Sequence, residues 1–384
     1  MKTEHSRVMS RLGLAGLALV VVGGGSAAIS ADNTAPRDRS IAYAAHEIKL
    51  SVYETPDAKE ECPQGVNTMG PREAFKALYP QDAGQKWKVV DTQMAREAEI
   101  WWPTVGKAEE FPFIEAEGKT AIGVDLDGKT KPSDFTSPEG KPGIDNQLYR
   151  VTGCIMNYRR GASIVNSERQ KLLAYHFNRL LIELTDVDSL INDDDVTITT
   201  YRGLDALLQD AQGAFQAGGS ERIDMRWGAK DFVHTGKGRI VNGVLKTDPM
   251  DIFVPQEVAF SSGAASTLRG AQFELKVMPD RAEGVIGGYA DVESFYRRFN
   301  RAWGTHFMSY GQQVPPAVYR SLTRLADGYP DPKTGENTAI SASYSVKMVQ
   351  VLALHPDKKI ADAAPASGAA QFAESVASSQ ADAK

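Results

Sequence analysis

"FELKVMPDRAEGVIGGY", residues 273–289, is the stretch of sequence that decides the fold. In its first half, Phe273, Leu275 and Val277 alternate with polar side chains, which is the pattern of a strand with one buried face. Residues 279–284 contain proline, aspartate and glycine, which favour a reverse turn. A second apolar run follows the turn. The stretch therefore predicts a β-hairpin.

Runs of the same kind lie on both sides of this hairpin. From Asp195 onward, short segments rich in β-branched and aromatic residues alternate with Gly, Pro and Asp turns. Residues 339–354, "AISASYSVKMVQVLAL", predict a long closing strand. Several short strands at this spacing are typical of two-layered antiparallel folds. We therefore expect a β-rich α+β protein whose main domain is an antiparallel β-sandwich or a jelly-roll-like fold.

Several helices are predicted to decorate this domain. Residues 291–303 place Val292, Phe295, Tyr296 and Phe299 on one face, and residues 315–328 begin with proline and end with glycine. The segment 166–187 has leucines and a phenylalanine at steps of three and four, which predicts a third helix.

Residues 1–31 have the features of a secretory signal peptide. Lys2, Arg7 and Arg11 precede an apolar run over residues 12–22, and small residues follow to Ala31. The alternative, an uncleaved membrane anchor, fits less well because the run is short against the roughly 20 residues that span a bilayer. We expect a periplasmic or secreted protein without a transmembrane segment after cleavage.

The remaining chain divides into three predicted regions. Residues 32–160 form an N-terminal region with a flexible start over 32–45, a first strand over 48–54, a helical part and many turns, and residues 161–356 form a helix with the β-sandwich domain. Residues 357–384 are rich in Ala and Ser and predict a disordered tail. The mature chain retains 40 basic and 48 acidic residues, a net charge of −8. An acidic surface of this kind argues against nucleic acid as a partner.

Cys62 and Cys154 are the two cysteines of the chain. Export to an oxidising compartment favours a disulfide between them. The alternative is a nucleophilic thiol, which would require a histidine partner that the sequence alone cannot place.

The turn-rich segment 123–154 is a candidate metal site. Asp125, Asp127, Asp134 and Asp145 offer the carboxylate oxygens that hard cations prefer, so structural calcium is a possible cofactor, and no other cofactor is evident. The EF-hand pattern fails, because the glycine that it requires at position 6 is Thr130. The alternative is a series of turns in which aspartates bind backbone amides.

Two further groups of residues are candidate ligand-binding positions. The polar loop 325–341 lies between a predicted helix and the last strand, and loops of this kind often carry function. It offers Asp327, Tyr329, Asp331 and Asn337. The pair Trp101 and Trp102 would provide a stacking platform if it were exposed, although tryptophan pairs more often serve a core.

Motifs of nucleophilic, zinc-dependent and phosphate-binding enzymes are absent from the sequence. We therefore expect a noncatalytic binding or accessory protein of the cell envelope, with a small molecule, a glycan or an envelope protein as its partner. The alternative is a hydrolase of envelope polymers that uses loop Asp and Glu carboxylates.

Overall fold

The computed structural model describes residues 39–67, 113–161, 179–226, 229–255, 266–301 and 315–356. They belong to one structural unit, which extends over Arg37–Lys384. The predicted signal peptide (1–31), Trp101, Trp102 and the predicted tail (357–384) lie outside the described residues.

The described residues are mostly β-structure. The helices are α1 (Gln147–Thr152), α2 (Val292–Arg301) and α3 (Pro315–Leu325), and single 3-10 turns lie at Met156–Tyr158 and Ala229–Phe232. The strands are β1 (Arg39–Leu50), β2 (Phe135–Thr136), β3 (Pro142–Ile144), β4 (Arg179–Val187), β5 (Asn192–Gly203), β6 (Gly219–Arg222), β7 (His234–Val241), β8 (Val244–Thr247), β9 (Met250–Val254), β10 (Ser266–Val277), β11 (Arg281–Asp291), β12 (Gly328–Pro330) and β13 (Asn337–Leu354).

Eight of these strands form a closed antiparallel barrel. Their order around the barrel is β1-β4-β5-β7-β8-β10-β11-β13, so each barrel strand pairs with the next barrel strand along the chain. The barrel closes where β13 pairs with β1, from Ala42 opposite Val351 to Leu50 opposite Tyr344. The predicted β-sandwich or jelly-roll is therefore wrong. Alternating apolar residues show which face of a strand is buried, but they do not show that the first and last strands pair.

The central hairpin is confirmed by the structure. β10 and β11 pair in antiparallel register, with Phe273 opposite Ile286 and Val277 opposite Ala282. The turn is tighter than expected, because Arg281 already belongs to β11. Gly284 is required there: a Cβ atom at this position would overlap the backbone of Glu274 and Leu275.

The interior of the barrel is filled by side chains. One face of every barrel strand contributes to a single hydrophobic core, in which Tyr43, Phe273 and Tyr344 are among the largest buried side chains. An eight-stranded barrel has an interior just wide enough for side chains to fill. Phe295 of α2 and Leu322 of α3 join the same core. The described interior is therefore a packed core.

The segment 179–187 is a strand, and not part of a helix as the leucine spacing predicts. Leu180, Ile182 and Leu184 face the central core, whereas Leu181 packs in a smaller cluster with Ala42 and Val351 on the outer face. Both faces of β4 are therefore buried, and accordingly Leu180, Leu181 and Ile182 are apolar without alternation. Such a run cannot be assigned to helix or strand by periodicity alone. The preceding residues 166–178 lie outside the described part of the chain.

The first described strand also differs from the prediction. Residues 32–45 lack apolar periodicity and suggest a flexible N-terminus, yet β1 begins at Arg39. Its small residues Ala42, Ala44 and Ala45 are buried because both faces of β1 are covered. Alanine is a poor signal for a strand, so this segment was difficult to predict.

Residues 51–67 and 113–161 form a layer outside the barrel, which we call the cover. Cys62 and Cys154 are joined by a disulfide within it, as the sequence predicts. Around the disulfide lies a small core of Ala116, Phe135 and Tyr149. The cover is hydrogen-bonded to β13: the Ser51 amide donates to the Ser343 carbonyl at 2.8 Å, which continues the β1–β13 ladder, and the Gln147 amide donates to the Ser341 hydroxyl at 2.8 Å.

Within the part of the chain that the structure describes, no helix has the length and apolar character needed to cross a membrane.

Candidate functional site

The two polar segments that the sequence singles out meet on the outside of the barrel. The turn-rich segment of the cover and the loop after α3 both approach Tyr289 on β11. We call the resulting group of side chains the carboxylate–tyrosine site: Asp125, Asp127, Asp145, Tyr289, Asp327 and Tyr329.

The loop 123–128 is positioned by a glycine on the barrel. Gly287 lacks a side chain, and the space is occupied by Val124 and Leu126, which approach to within about 3.2 Å of where its Cβ would lie. Gln272 on β10 donates a hydrogen bond of 2.9 Å to the Leu126 carbonyl. The loop is therefore fixed against β10 and β11, which places its aspartates beside Tyr289.

Three aspartates of this loop region converge. One carboxylate oxygen from each of Asp125, Asp127 and Asp145 lies within 4.8 Å of the others. Two accept backbone amides of the same loop, Asp125 from Gly128 at 2.8 Å and Asp127 from Lys129 at 2.9 Å. Asp145 is buried and accepts the Leu126 amide at 2.7 Å.

Asp145 and Asp127 differ in acidity. Burial raises the pKa of Asp145 to about 6, and the neighbouring carboxylates of Asp127 and Asp134 contribute in the same direction. Burial also acts on Asp127, but hydrogen bonds and the positive charge of Lys131 lower its pKa. As the pH falls, Asp145 therefore takes up a proton before Asp127 does.

These aspartates could hold a metal ion, since carboxylate oxygens are the ligands that hard cations bind. Two observations limit the fit. The ammonium group of Lys131 already forms an ion pair with Asp127. Asp134 does not belong to the group, because its carboxylate accepts the Lys131 amide at 2.5 Å and closes a turn. A cation would have to displace Lys131.

Asp327 connects three parts of the structure. Its carboxylate accepts the amide of Ser341 at 2.6 Å and the hydroxyl of Ser341 at 2.7 Å, and that hydroxyl oxygen accepts the Gln147 amide at 2.8 Å. Burial raises the pKa of Asp327, while its hydrogen bonds with Ser341 oppose the shift. Asp327 thus fixes the loop after α3 to β13 and the cover, which is a positioning role.

Tyr329 is the exposed aromatic residue of the site, with 39% of its surface accessible. Its ring lies edge-on to Tyr289 at 5.5 Å between centroids, and the Arg269 guanidinium lies 4.0 Å from its centre. Its φ is +53°, a left-handed conformation that is rare for a bulky residue. Backbone strain of this kind is concentrated at functional sites.

The other two candidates in this loop stabilise its turn. Asp331 accepts the amides of Lys333 at 2.7 Å and Thr334 at 3.1 Å, and the Asn337 side chain donates to the Ala326 carbonyl at 3.0 Å. Asp331 and Asn337 therefore stabilise the backbone of the loop.

Sequence reasoning missed Tyr289, Arg269 and Lys131. Tyr289 and Arg269 lie opposite each other on β11 and β10, so they share one face of the hairpin. The predicted hairpin 273–289 contained Tyr289 but not Arg269, and nothing in the sequence showed that a loop from residues 325–341 would cover that face. The pairing of Lys131 with Asp127 follows helical i,i+4 spacing in a segment without a helix.

No protein-family model, no curated protein and no solved structure matches this chain at the significance required.

Proposed function

We propose that this protein is an exported, noncatalytic binding protein of the cell envelope that binds its ligand at the carboxylate–tyrosine site. The observation that carries the proposal is the convergence of two segments, separated by almost 200 residues in sequence, on one outer face of the barrel. The filled interior supports the same view, because the described core leaves the outer surface for a ligand. Export is supported by the disulfide, since such bonds persist in oxidising compartments.

The side chains of the site suit a polyhydroxylated ligand such as a glycan. The exposed ring of Tyr329 offers an apolar face on which a sugar ring can stack. Asp125 and Asp127 are half-buried carboxylates that accept hydrogen bonds from hydroxyl groups. One stacking face beside a few polar groups is the usual composition of a small-ligand site.

Replacing Tyr329 tests this proposal. We expect Tyr329→Ala to weaken the binding of envelope oligosaccharide fragments by at least tenfold in isothermal titration calorimetry, because the stacking face is lost. Tyr329→Phe retains the ring, so its affinity should stay within about threefold of the wild type. The tenfold loss expected for the alanine variant corresponds to about 1.4 kcal/mol. Unchanged binding by the alanine variant would exclude this site as the contact surface.

We further propose that the three converging aspartates bind structural calcium. Binding to the folded state alone would raise the thermal midpoint in CaCl2 relative to EDTA. Asp125→Asn should remove most of this increase, whereas Asp188→Asn, in the exposed loop after β4, should leave it unchanged. Because protonation of Asp145 competes with the cation, the increase should be smaller at pH 5 than at pH 8. An equal midpoint in CaCl2 and EDTA at both pH values would contradict calcium binding.

One observation favours a hydrolase as the second candidate. Asp145 and Asp127 lie in one cluster, and their pKa values are shifted in opposite directions. Pairs of carboxylates separated in this way serve as acid and base in glycosidases. Turnover of envelope polysaccharides that is lost in Asp145→Asn and retained in Asp188→Asn would replace the noncatalytic proposal with this one.

A further inference from the structure

A cleft separates the cover from the barrel on a different part of the outer surface. Its volume is about 360 Å³, and it shares no residue with the carboxylate–tyrosine site. One wall is formed by β1, β11 and β13, and the other by residues 52–54, 122 and 158–160 of the cover. Pockets of small ligands begin at roughly 300 Å³ and often lie where two parts of a protein meet.

The barrel wall of the cleft carries alternating charges. Glu283, Lys347 and Glu47 lie in one row across three strands, since Glu283 pairs with Lys347 on β13 and Lys347 pairs with Glu47 on β1. Glu47 is also 3.1 Å from Lys49 and 3.9 Å from Lys347. The charge of Glu47 is therefore compensated within the wall, and these neighbouring lysines lower its pKa despite burial.

The cover wall carries charges of both signs. The Arg160 amide donates a hydrogen bond of 2.7 Å to the carboxylate of Glu54, which leaves the Arg160 guanidinium outside that contact. Among the residues that the structure describes, neither this guanidinium nor the Glu283 carboxylate has an ion-pair partner. The cleft is thus lined by a guanidinium on one wall and a carboxylate on the other that form no ion pair with described residues, although Glu283 lies opposite Lys347 in the sheet.

Between the charged groups the cleft is apolar. Leu50, Val52 and Ile122 line it and are half-buried. An aliphatic group placed against them would be removed from water, at about 25 cal/mol per Å² of apolar surface. Charged side chains and aliphatic side chains both line the cleft, so a ligand with charged ends and an aliphatic body matches it best.

We propose that this cleft binds a zwitterionic ligand, either a free amino acid or a short peptide with both termini unblocked. The ligand carboxylate pairs with Arg160, the ligand ammonium group pairs with Glu283, and an aliphatic side chain packs against Leu50, Val52 and Ile122. A planar guanidinium binds a carboxylate through two parallel hydrogen bonds, which fixes the orientation of the ligand. This site is independent of the carboxylate–tyrosine site.

Calorimetric titration of the full-length mature protein with the dipeptide Ala-Leu tests the proposal. We expect binding to weaken at least tenfold in Arg160→Gln and in Glu283→Gln. The matched controls Arg239→Gln on β7 and Glu336→Gln in the loop before β13 should bind as the wild type does. N-acetyl-Ala-Leu and Ala-Leu-amide each lack one charge and should bind at least tenfold more weakly than the free dipeptide.

Equal binding of the free and blocked dipeptides would overturn the proposal, and so would wild-type affinity in both cleft variants or no binding by the wild type. Thermal midpoints of the four variants establish that they are folded, because all four positions are exposed. Tyr329→Ala should retain dipeptide binding. Its loss of glycan binding tests the other site, so the two proposals can fail separately.

Discussion

Glu221 is a fully buried carboxylate whose charge has an unfavourable environment. It lies on β6, where Arg179 of β4 is 3.5 Å away and is also buried. One oxygen accepts the Asp205 amide at 2.7 Å, and the other oxygen is buried with no hydrogen-bond partner among the described residues. Burial raises the pKa of Glu221 to about 7, which outweighs the opposing effect of Arg179, and the charge of Asp205 adds to the rise.

This shift predicts that stability falls as pH rises. Since the pKa is about 7 in the folded state and 4.5 without these interactions, the folded state binds more protons between those values. Raising the pH from 5 to 8 should therefore cost on the order of 3 kcal/mol through this residue. Glu221→Gln cannot ionise, so its urea midpoint should equal that of the wild type at pH 5 and exceed it at pH 8.

Asp188→Asn serves as the control for this prediction, because Asp188 is exposed and follows the end of β4 opposite to Arg179. Its midpoints should follow those of the wild type at both pH values. Parallel pH profiles for the wild type and Glu221→Gln would contradict a raised pKa at Glu221.

At the residue scale, the sequence identified chemical types but not their neighbours. Asp125, Asp127 and Asp145 were singled out as oxygen donors, and the structure brings them together. Asp134 has the same chemistry but caps a turn. The difference depends on which backbone amides lie nearby, and that is set by tertiary packing rather than by residue type.

At the scale of single elements, the hairpin β10–β11 was predictable and β4 was not. Alternation in residues 273–277 follows from one buried and one more polar face. β4 lost this signal because Leu181 is buried on the outer face by the segment that includes Ile223. A strand buried on both sides resembles a helix in composition, and the leucines at helical spacing then mislead.

Gly284 is the position on which the hairpin depends most. We expect Gly284→Ala to destabilise the protein by at least about 3 kcal/mol, because the new methyl group would overlap the Glu274 carbonyl and the Leu275 backbone. Gly128→Ala is the matched control: its φ is +69°, but no atom lies within 4 Å of the added Cβ. Its cost should be about 1–2 kcal/mol, from backbone strain alone.

Guanidinium unfolding measures both changes. A cost for Gly284→Ala no larger than that for Gly128→Ala would show that the strands separate easily, contrary to the close approach of β10 and β11.

At the scale of the whole molecule, the cover is held by the disulfide and by its contacts with the barrel. The bond joins residues 92 positions apart in sequence. A loop of this length is expected to stabilise the folded state by roughly 4–5 kcal/mol through the entropy of the unfolded chain. The large core consists mostly of barrel side chains, and Leu148 and Val151 of the cover join it, whereas the core around the disulfide belongs to the cover alone.

We therefore expect the double variant Cys62→Ala/Cys154→Ala to lose roughly 4 kcal/mol of stability and to keep its β-sheet circular dichroism at 20 °C. Tryptic cleavage should become faster in residues 51–67 and 113–161 than in the barrel strands. Reduction of the wild type by dithiothreitol should reproduce both effects. Equal protease resistance of oxidised and reduced protein would show that the barrel contacts hold the cover without the bond.

The closed barrel could not be predicted from the sequence, although most of its strands could. Closure depends on β1, whose alanines gave little strand signal, and on its pairing with β13 almost 300 residues later. Pairing between strands that are far apart in sequence produces no pattern within either strand. A sandwich and a barrel are built from the same alternating strands, so strand patterns alone do not distinguish them.

The pairing of β1 with β13 also determines when the barrel can close during synthesis. The ribosome synthesises β1 first among the barrel strands and β13 last. Until β13 is available, a sheet of the other seven strands has unpaired edges at β1 and β11. Unpaired edges attract other chains, and long-range pairing is slow because a large loop must close first. A chain with this topology cannot close its barrel until β13 has been synthesised.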